Sequence, residues 1–120
     1  MTRVTRHFTV AELACPCCGA CEMDPEFMRR VQVLRDIVGF PLPPVSGFRC
    51  RKHNAGLKGA AEGSQHLLGK AIDFRVRNFT GARRYLLIKT AFDLGFGGIG
   101  IGKVQLHLDG REGTGVNWGY

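Results

Sequence analysis

The chain has 120 residues, of which 44% are hydrophobic and 22% are charged, and it carries a formal net charge of +7. This size and composition are typical of one soluble domain with one core. The longest apolar runs, such as YLLI, are too short to span a bilayer, and the N-terminal MTRVTRHFTV lacks the apolar stretch of a secretory signal. We therefore expect a single domain over residues 1–120, made in the cytoplasm, without membrane insertion and attracted to polyanions.

Two helices are predicted in the N-terminal third of the chain. In FTVAEL, Thr9 and Glu12 form a capping box that opens a short helix. In DPEFMRRVQVLRDIVG, Asp24 caps a longer helix, Pro25 occupies its first position and Gly39 ends it. Apolar residues recur at helical spacing along this segment and predict its buried face: Phe27, Val31, Leu34 and Val38.

Four of the five cysteines crowd into CPCCGAC, residues 15–21. In a chain without an export signal, free thiols or a metal clip are favoured over a disulfide framework. Zinc takes four such ligands in a tetrahedron. Two alternatives follow: partly buried thiols in a turn, or a structural zinc site made by Cys15, Cys17, Cys18 and Cys21. Cys50 is a candidate distant ligand or disulfide partner.

The rest of the chain predicts a sheet and a third helix. PLPPVSGF is extended, and residues 51–65 form a long polar loop with room for a helical turn. KAIDFRV alternates as a strand, TGARRYLLIKTAFDLGF is a helix capped by Thr80 and stopped by Gly95, and GGIGIG and VQLHLDG are short strands. The expected fold is a small α+β domain with a mostly antiparallel sheet and its helices packed on one side.

Three polar residues are candidates for a metal site. His107 shares the polar face of VQLHLD with Asp109, because side chains alternate along a strand, and Asp73 lies on the polar face of KAIDFRV. His66 precedes that second strand, and Gly69 allows a turn between them. If the two strands are neighbours, His66, Asp73 and His107 converge into a three-ligand set that leaves the fourth position of zinc open for water. The alternative is a pair of unrelated surface contacts, because each His–Asp spacing alone is a weak signal.

Four segments resemble a known family when taken together: SGFRCRKHN, SQHLLGKAIDF, GFGGIGI and LHLD. In this order they are similar to the zinc D-alanyl-D-alanine carboxypeptidase-like peptidases, which include peptidoglycan carboxypeptidases and phage endolysins that cleave L-alanyl-D-glutamate bonds. The most specific part is the pattern SxHxxGxAxD at residues 64–73, and the likeness extends from HFTVAEL to the final WGY. The resemblance implies zinc ligands at His66, Asp73 and His107.

The same resemblance implies roles for residues around the metal. Arg49 matches the arginine that faces the substrate carboxylate or the developing oxyanion, a task suited to a planar and permanently charged guanidinium; the alternative is a surface cation. Ser64 either binds substrate or shapes the turn before His66. Several family members have an acidic general base three residues before the last zinc histidine, but that position here is Val104.

Because Val104 stands where those family members have an acid, the general base must be sought among other acidic residues. Asp109 is the nearest acidic residue on the strand face of His107, and Glu62, on the loop before His66, is a further candidate. The alternative role of Asp109 is to accept the second N–H of a zinc-bound His107.

The residues and the resemblance predict a monomeric zinc peptidase that hydrolyses an amide bond in the peptidoglycan peptide stem and reaches the wall after holin-type release or lysis. One rival is a zinc-containing module that binds wall peptide without catalysis, which Val104 keeps open. The other is a basic nucleic-acid-binding protein, which is disfavoured because no basic helix stands out and the chain has only two Tyr and one Trp.

Overall fold

A computed structural model describes residues 2–61 and 63–120 of the chain. The elements follow one another as β1 (Arg3–Thr5), β2 (Phe8–Thr9), α1 (Val10–Leu13), α2 (Pro25–Val38), β3 (Pro44–Ser46), α3 (Arg51–Ala55), a 3-10 helix (Gln65–Leu68), β4 (Ala71–Arg75), α4 (Gly81–Asp93), β5 (Gly98–Ile101), β6 (Gln105–Asp109) and β7 (Val116–Gly119). The fold is α+β, as the sequence predicts. In the described part of the chain, no helix has the length and apolar character needed to cross a membrane.

The helix boundaries follow the capping signals of the sequence. Both hydrogen bonds of the capping box between Thr9 and Glu12 are formed at α1. The Asp24 carboxylate accepts the Phe27 backbone N–H at 2.9 Å at the start of α2, and Gly39 ends that helix in the left-handed conformation, with φ at 75°. All four residues of the predicted apolar stripe of α2 are buried.

Five strands form the main sheet in the order β3-β4-β6-β5-β7, while β1 and β2 pair separately. All neighbours in the main sheet are antiparallel except β5 and β7, which are parallel. Three strands were not expected from the sequence, namely β1, β2 and β7. The predicted loop at residues 51–65 contains α3 and the beginning of the 3-10 helix.

The two central strands separate the core from the functional face. Ile72 and Phe74 of β4, with Leu106 and Leu108 of β6, are fully buried in the core that α2 and α4 cover. Because side chains alternate along a strand, Asp73 of β4 lies on the opposite face of the sheet. The same register places the polar residues of β6 beside it, and the candidate site is built there.

Candidate metal centre

A single row of residues crosses the main sheet on its polar face. The register pairs neighbours on successive strands in the order Ser46, Asp73, His107, Gly100 and Trp118. Residues paired in this way lie side by side on one face. Strands β4 and β6 are neighbours, which was the condition for convergence of the predicted ligands, and Asp73 pairs directly with His107.

His66 approaches this row from the 3-10 helix. Ser64 caps that helix by accepting the backbone N–H of His66 at 3.2 Å, and Gly69 ends it with φ at 68°. A Cβ atom at Gly69 would lie 2.0 Å from the Glu22 carbonyl oxygen, so only glycine fits this turn. The His66 ring is 2% exposed, and its Nδ1 donates to the Gly47 carbonyl at 2.7 Å.

The ligand atoms of His66, Asp73 and His107 all lie within 4.8 Å of one another. Nε2 of His66 is 3.2 Å from Oδ2 of Asp73, and Nδ1 of His107 is 2.9 Å from Oδ1 of the same carboxylate. The three residues that the sequence predicts as a ligand set are therefore brought together by β4, β6 and the 3-10 helix.

The hydrogen bonds on the far side of each imidazole determine which nitrogen faces the cluster. A carbonyl oxygen only accepts, so Nδ1 of His66 must carry its proton, and in the neutral ring Nε2 presents a lone pair to Asp73. Nε2 of His107 lies 2.7 Å from the Asp109 carboxylate, and in the tautomer that donates from Nε2 to Asp109 the lone pair of Nδ1 faces Asp73.

This donor set suits a divalent cation. In the neutral histidines, two nitrogen lone pairs and a carboxylate point at the same small volume and repel one another unless a positive charge lies between them. A metal ion supplies that charge, whereas without one the protein must hold an additional proton. In the metal-free protein, burial would raise the pKa of Asp73, but hydrogen bonds from protonated His107 and His66 rings and the charges of these rings hold it well below its usual range, so the carboxylate is ionised.

Asp109 is held in place behind His107 by hydrogen bonds. Its side chain is fully buried, and Arg111 donates to both of its carboxylate oxygens, from Nε at 2.9 Å and from Nη2 at 2.7 Å. A Cβ atom at Gly98 would come within 2.2 Å of the same carboxylate, so glycine provides the space that Asp109 occupies. These contacts favour the alternative in which Asp109 orients His107, and they argue against Asp109 as a free general base.

The guanidinium of Arg49 reaches the metal-ligand cluster. Its three nitrogens contact three different groups: Nε donates to the Ser46 hydroxyl at 3.2 Å, Nη1 to the Asn54 side chain at 3.3 Å and Nη2 to the Asp73 carboxylate at 3.3 Å. The side chain is 14% exposed, so it is held between the sheet and α3 rather than spread on the surface.

A cleft of about 790 Å³ opens over the metal-ligand cluster. Arg49 and Ser64 line it, as do Trp118 and Tyr120 from the C-terminal end. Ser64 thus shapes the turn before His66 and also borders the cleft, so its role in substrate binding remains a prediction. Glu62 lies outside the described residues, but Ala61 and Gly63 on either side of it line the same cleft.

Several residues of the site were missed by the sequence analysis. The centroids of the Trp118 and His107 rings are 5.2 Å apart. The guanidinium carbon of Arg111 lies over the Trp118 ring, 5.2 Å from its centroid. A Cβ atom at Gly100 would meet Trp118 at 2.8 Å, so this glycine allows the indole to lie across β5. The alternation of Trp118 and Tyr120 at the C-terminal end is the one local signal that could have identified β7.

The cysteines are arranged differently from the predicted zinc site. Cys15 and Cys18 meet Cys50, with all three Sγ atoms within 4.8 Å of one another. Cys21 packs against the hydrophobic core, which removes it from the predicted set of Cys15, Cys17, Cys18 and Cys21, and Cys17 is exposed. The prediction of that four-cysteine set is therefore wrong. Cys50, the candidate distant ligand, lies beside Cys15 and Cys18.

The His–Asp–His cluster is a donor set that could hold a metal ion, and comparison with protein families indicates a metallopeptidase. The sequence model described as Peptidase M15 matches residues 6–109, most of the chain. The chain therefore belongs to the M15 family of zinc D-alanyl-D-alanine carboxypeptidase-like peptidases. Comparison with curated protein sequences gave no significant match.

Proposed function

We propose that the protein is a zinc-dependent peptidase that hydrolyses an amide bond in the peptide stem of peptidoglycan, as a carboxypeptidase or as an endolysin-type endopeptidase. The observation that carries this proposal is the arrangement of His66, Asp73 and His107. Two imidazole nitrogens and a carboxylate converge in an open cleft. Membership of the M15 family supports a peptide substrate.

His66, Asp73 and His107 would hold the ion. Zinc bound by three protein ligands supplies Lewis acidity and lowers the pKa of a bound water to about 7. Gly47 and Asp109 orient the two imidazoles by accepting their outer N–H groups, so each ring keeps a fixed nitrogen toward the cleft. Ordering the ligands in advance avoids the cost of arranging them when substrate binds.

Arg49 is the residue that we propose for recognition of negative charge. Its contacts with Ser46, Asn54 and Asp73 fix the plane of the guanidinium beside the metal ligands. A stem peptide ends in a carboxylate, and amide hydrolysis develops an oxyanion. The guanidinium can donate two parallel hydrogen bonds to either group.

A proton must still pass from water to the leaving amine. Both oxygens of Asp109 are engaged by Arg111, and the fully buried carboxylate lies behind His107. Burial would raise the pKa of Asp109, but hydrogen bonds from His107 and Arg111 hold it well below its usual range, which makes it a poor base. We therefore propose that Asp109 positions His107 and that Glu62 is the first candidate for the general base.

The net charge of +7 supports an anionic cell wall as the surface on which the enzyme works. We propose that the protein acts there after synthesis in the cytoplasm and release by a holin or by lysis. A zinc-containing module that binds wall peptide without cleaving it is the second candidate. It is supported by Val104, which occupies the place where several relatives have an acid.

Hydrolysis of a synthetic stem peptide, followed by mass spectrometry of the products, tests the proposal. We expect cleavage that requires zinc, abolition by Glu62→Gln, and partial loss in Asp109→Asn with reduced zinc affinity. Binding of the peptide with no cleavage by the zinc-loaded wild type would favour the binding module. Salt-sensitive binding to DNA, without binding to purified peptidoglycan, would favour the nucleic-acid-binding alternative.

A further inference from the structure

A second group of metal-ligating side chains lies outside the cleft cluster. The Sγ atoms of Cys15, Cys18 and Cys50 lie within 4.8 Å of one another, although Cys50 is 35 residues from Cys15 along the chain. Cys15 is buried, and Cys18 is exposed. Tertiary packing therefore brings three soft ligands together from two separate segments.

Backbone N–H groups point at these sulfur atoms. The N–H of Cys50 donates to Sγ of Cys15 at 3.4 Å, and the N–H of His53 donates to Sγ of Cys50 at 3.4 Å. Such donors stabilise a thiolate over a thiol, and the thiolate is the form that binds metal.

The turn at residues 15–20 has the shape that a two-cysteine metal loop needs. The Cys15 N–H donates to the Ala20 carbonyl at 2.7 Å, and the Gly19 N–H donates to the Cys15 carbonyl at 2.8 Å. Gly19 has a φ of 77°, a conformation that glycine adopts readily. This tight loop folds Cys18 back toward Cys15 at the C-x-x-C spacing common in structural zinc sites.

We propose that Cys15, Cys18 and Cys50 bind a second, structural zinc ion, with Cys17 as the fourth ligand. Cys17 lies between Cys15 and Cys18 in the same tight loop, and its exposed side chain is free to supply the fourth thiolate. Four thiolates complete the closed tetrahedral set of a structural zinc site. Cys21 takes no part, because it packs against the core.

This site would clamp the loop that carries Arg49. The Phe48 N–H donates to the Leu13 carbonyl at 2.9 Å, and a Cβ atom at Gly47 would lie 2.8 Å from that same oxygen. The segments that hold Cys15 and Cys50 are thus already in close contact, and an ion shared between them would tie the Arg49 loop to α1. The proposal does not depend on peptidase activity.

Zinc counting by native mass spectrometry tests the second site. We expect two zinc ions on the wild type, one on Cys50→Ser, one on His107→Ala and two on the matched control Cys21→Ser. In cobalt-substituted protein, His107→Ala should keep the sulfur-to-metal charge-transfer absorption that Cys50→Ser loses, because only the second site has thiolate ligands.

Thiol labelling of the wild type keeps the test decisive if Cys50→Ser does not fold. With zinc present, the exposed Cys17 and Cys18 should be protected from labelling, and both should react rapidly after chelation. Equal labelling before and after chelation would overturn the proposal, as would an unchanged zinc count in folded Cys50→Ser or a wild-type mass lowered by a disulfide. A normal zinc count in His107→Ala would instead contradict the cleft site.

Discussion

Replacing Arg49 by lysine is the sharpest perturbation of the cleft that keeps its charge. The three guanidinium nitrogens contact Ser46, Asn54 and Asp73 at 3.2–3.3 Å, and these acceptors surround the group on different sides. A lysine ammonium is a single point and cannot reach all three. Two lost hydrogen bonds of about 0.5–1.5 kcal/mol each would weaken the orientation of the side chain.

We therefore expect Arg49→Lys to lose at least about tenfold in kcat/KM, which corresponds to about 1.4 kcal/mol of transition-state stabilisation. The assay is steady-state hydrolysis of a stem peptide, with circular dichroism as the folding control. The exposed Arg77 offers the matched variant, since Arg77→Lys makes the same chemical change away from the cleft. That control should keep full activity.

Two substrates separate the roles of Arg49. If it binds the substrate carboxylate, Arg49→Lys should raise KM for a peptide with a free C-terminus and have little effect on an amidated one. If it stabilises the oxyanion, kcat should fall for both peptides. Unchanged kinetics with both substrates would refute the reasoning and would mean that Arg49 only packs over the loop.

The remaining predictions concern the metal ligands and their surroundings. His107→Ala should abolish turnover and zinc binding in the cleft together, as measured by activity and metal titration; turnover without cleft zinc would contradict the assignment. Gly100→Ala should displace Trp118 and lower turnover with zinc retained, while Gly81→Ala, where a Cβ atom meets open space, should be silent. In the metal-free protein, burial lowers the pKa of His107 but hydrogen bonds with Asp109 and Asp73 raise it above 6.5. The stability that this shift contributes is complete below pH 6.5 and is lost as the pH rises through the raised pKa of His107. The free energy of unfolding of the metal-free protein, measured by urea titration, should therefore fall as the pH rises. With zinc bound the trend should reverse, because the metal binds the neutral ring.

Local signals predicted α1, α2, α4 and the central strands. Capping residues such as Thr9 and Asp24 act within one turn, so their effect is readable from neighbouring residues. The alternation in β4 and β6 assigned Asp73 and His107 to a polar face for the same reason. The resemblance to a family strengthened the expectation that His66 joins them.

Long-range packing explains what the sequence did not predict. Cys50 meets Cys15 because the Phe48 backbone hydrogen-bonds to the last residue of α1, and nothing in the spacing of the cysteines encodes that contact. Arg111 engages Asp109 only because Gly98 on the neighbouring strand leaves space for the carboxylate. Strand β7 is short and exposed along its length, so the alternation around Trp118 marks no buried face and is a weak signal for a strand.

Anomalous X-ray scattering at the zinc absorption edge, on crystals of the protein grown with zinc, tests the central claim most directly. The account predicts a strong peak in the cleft about 2.0–2.2 Å from Nε2 of His66, a carboxylate oxygen of Asp73 and Nδ1 of His107. No peak at that position, with the His107 imidazole still hydrogen-bonded directly to Asp73, would contradict it.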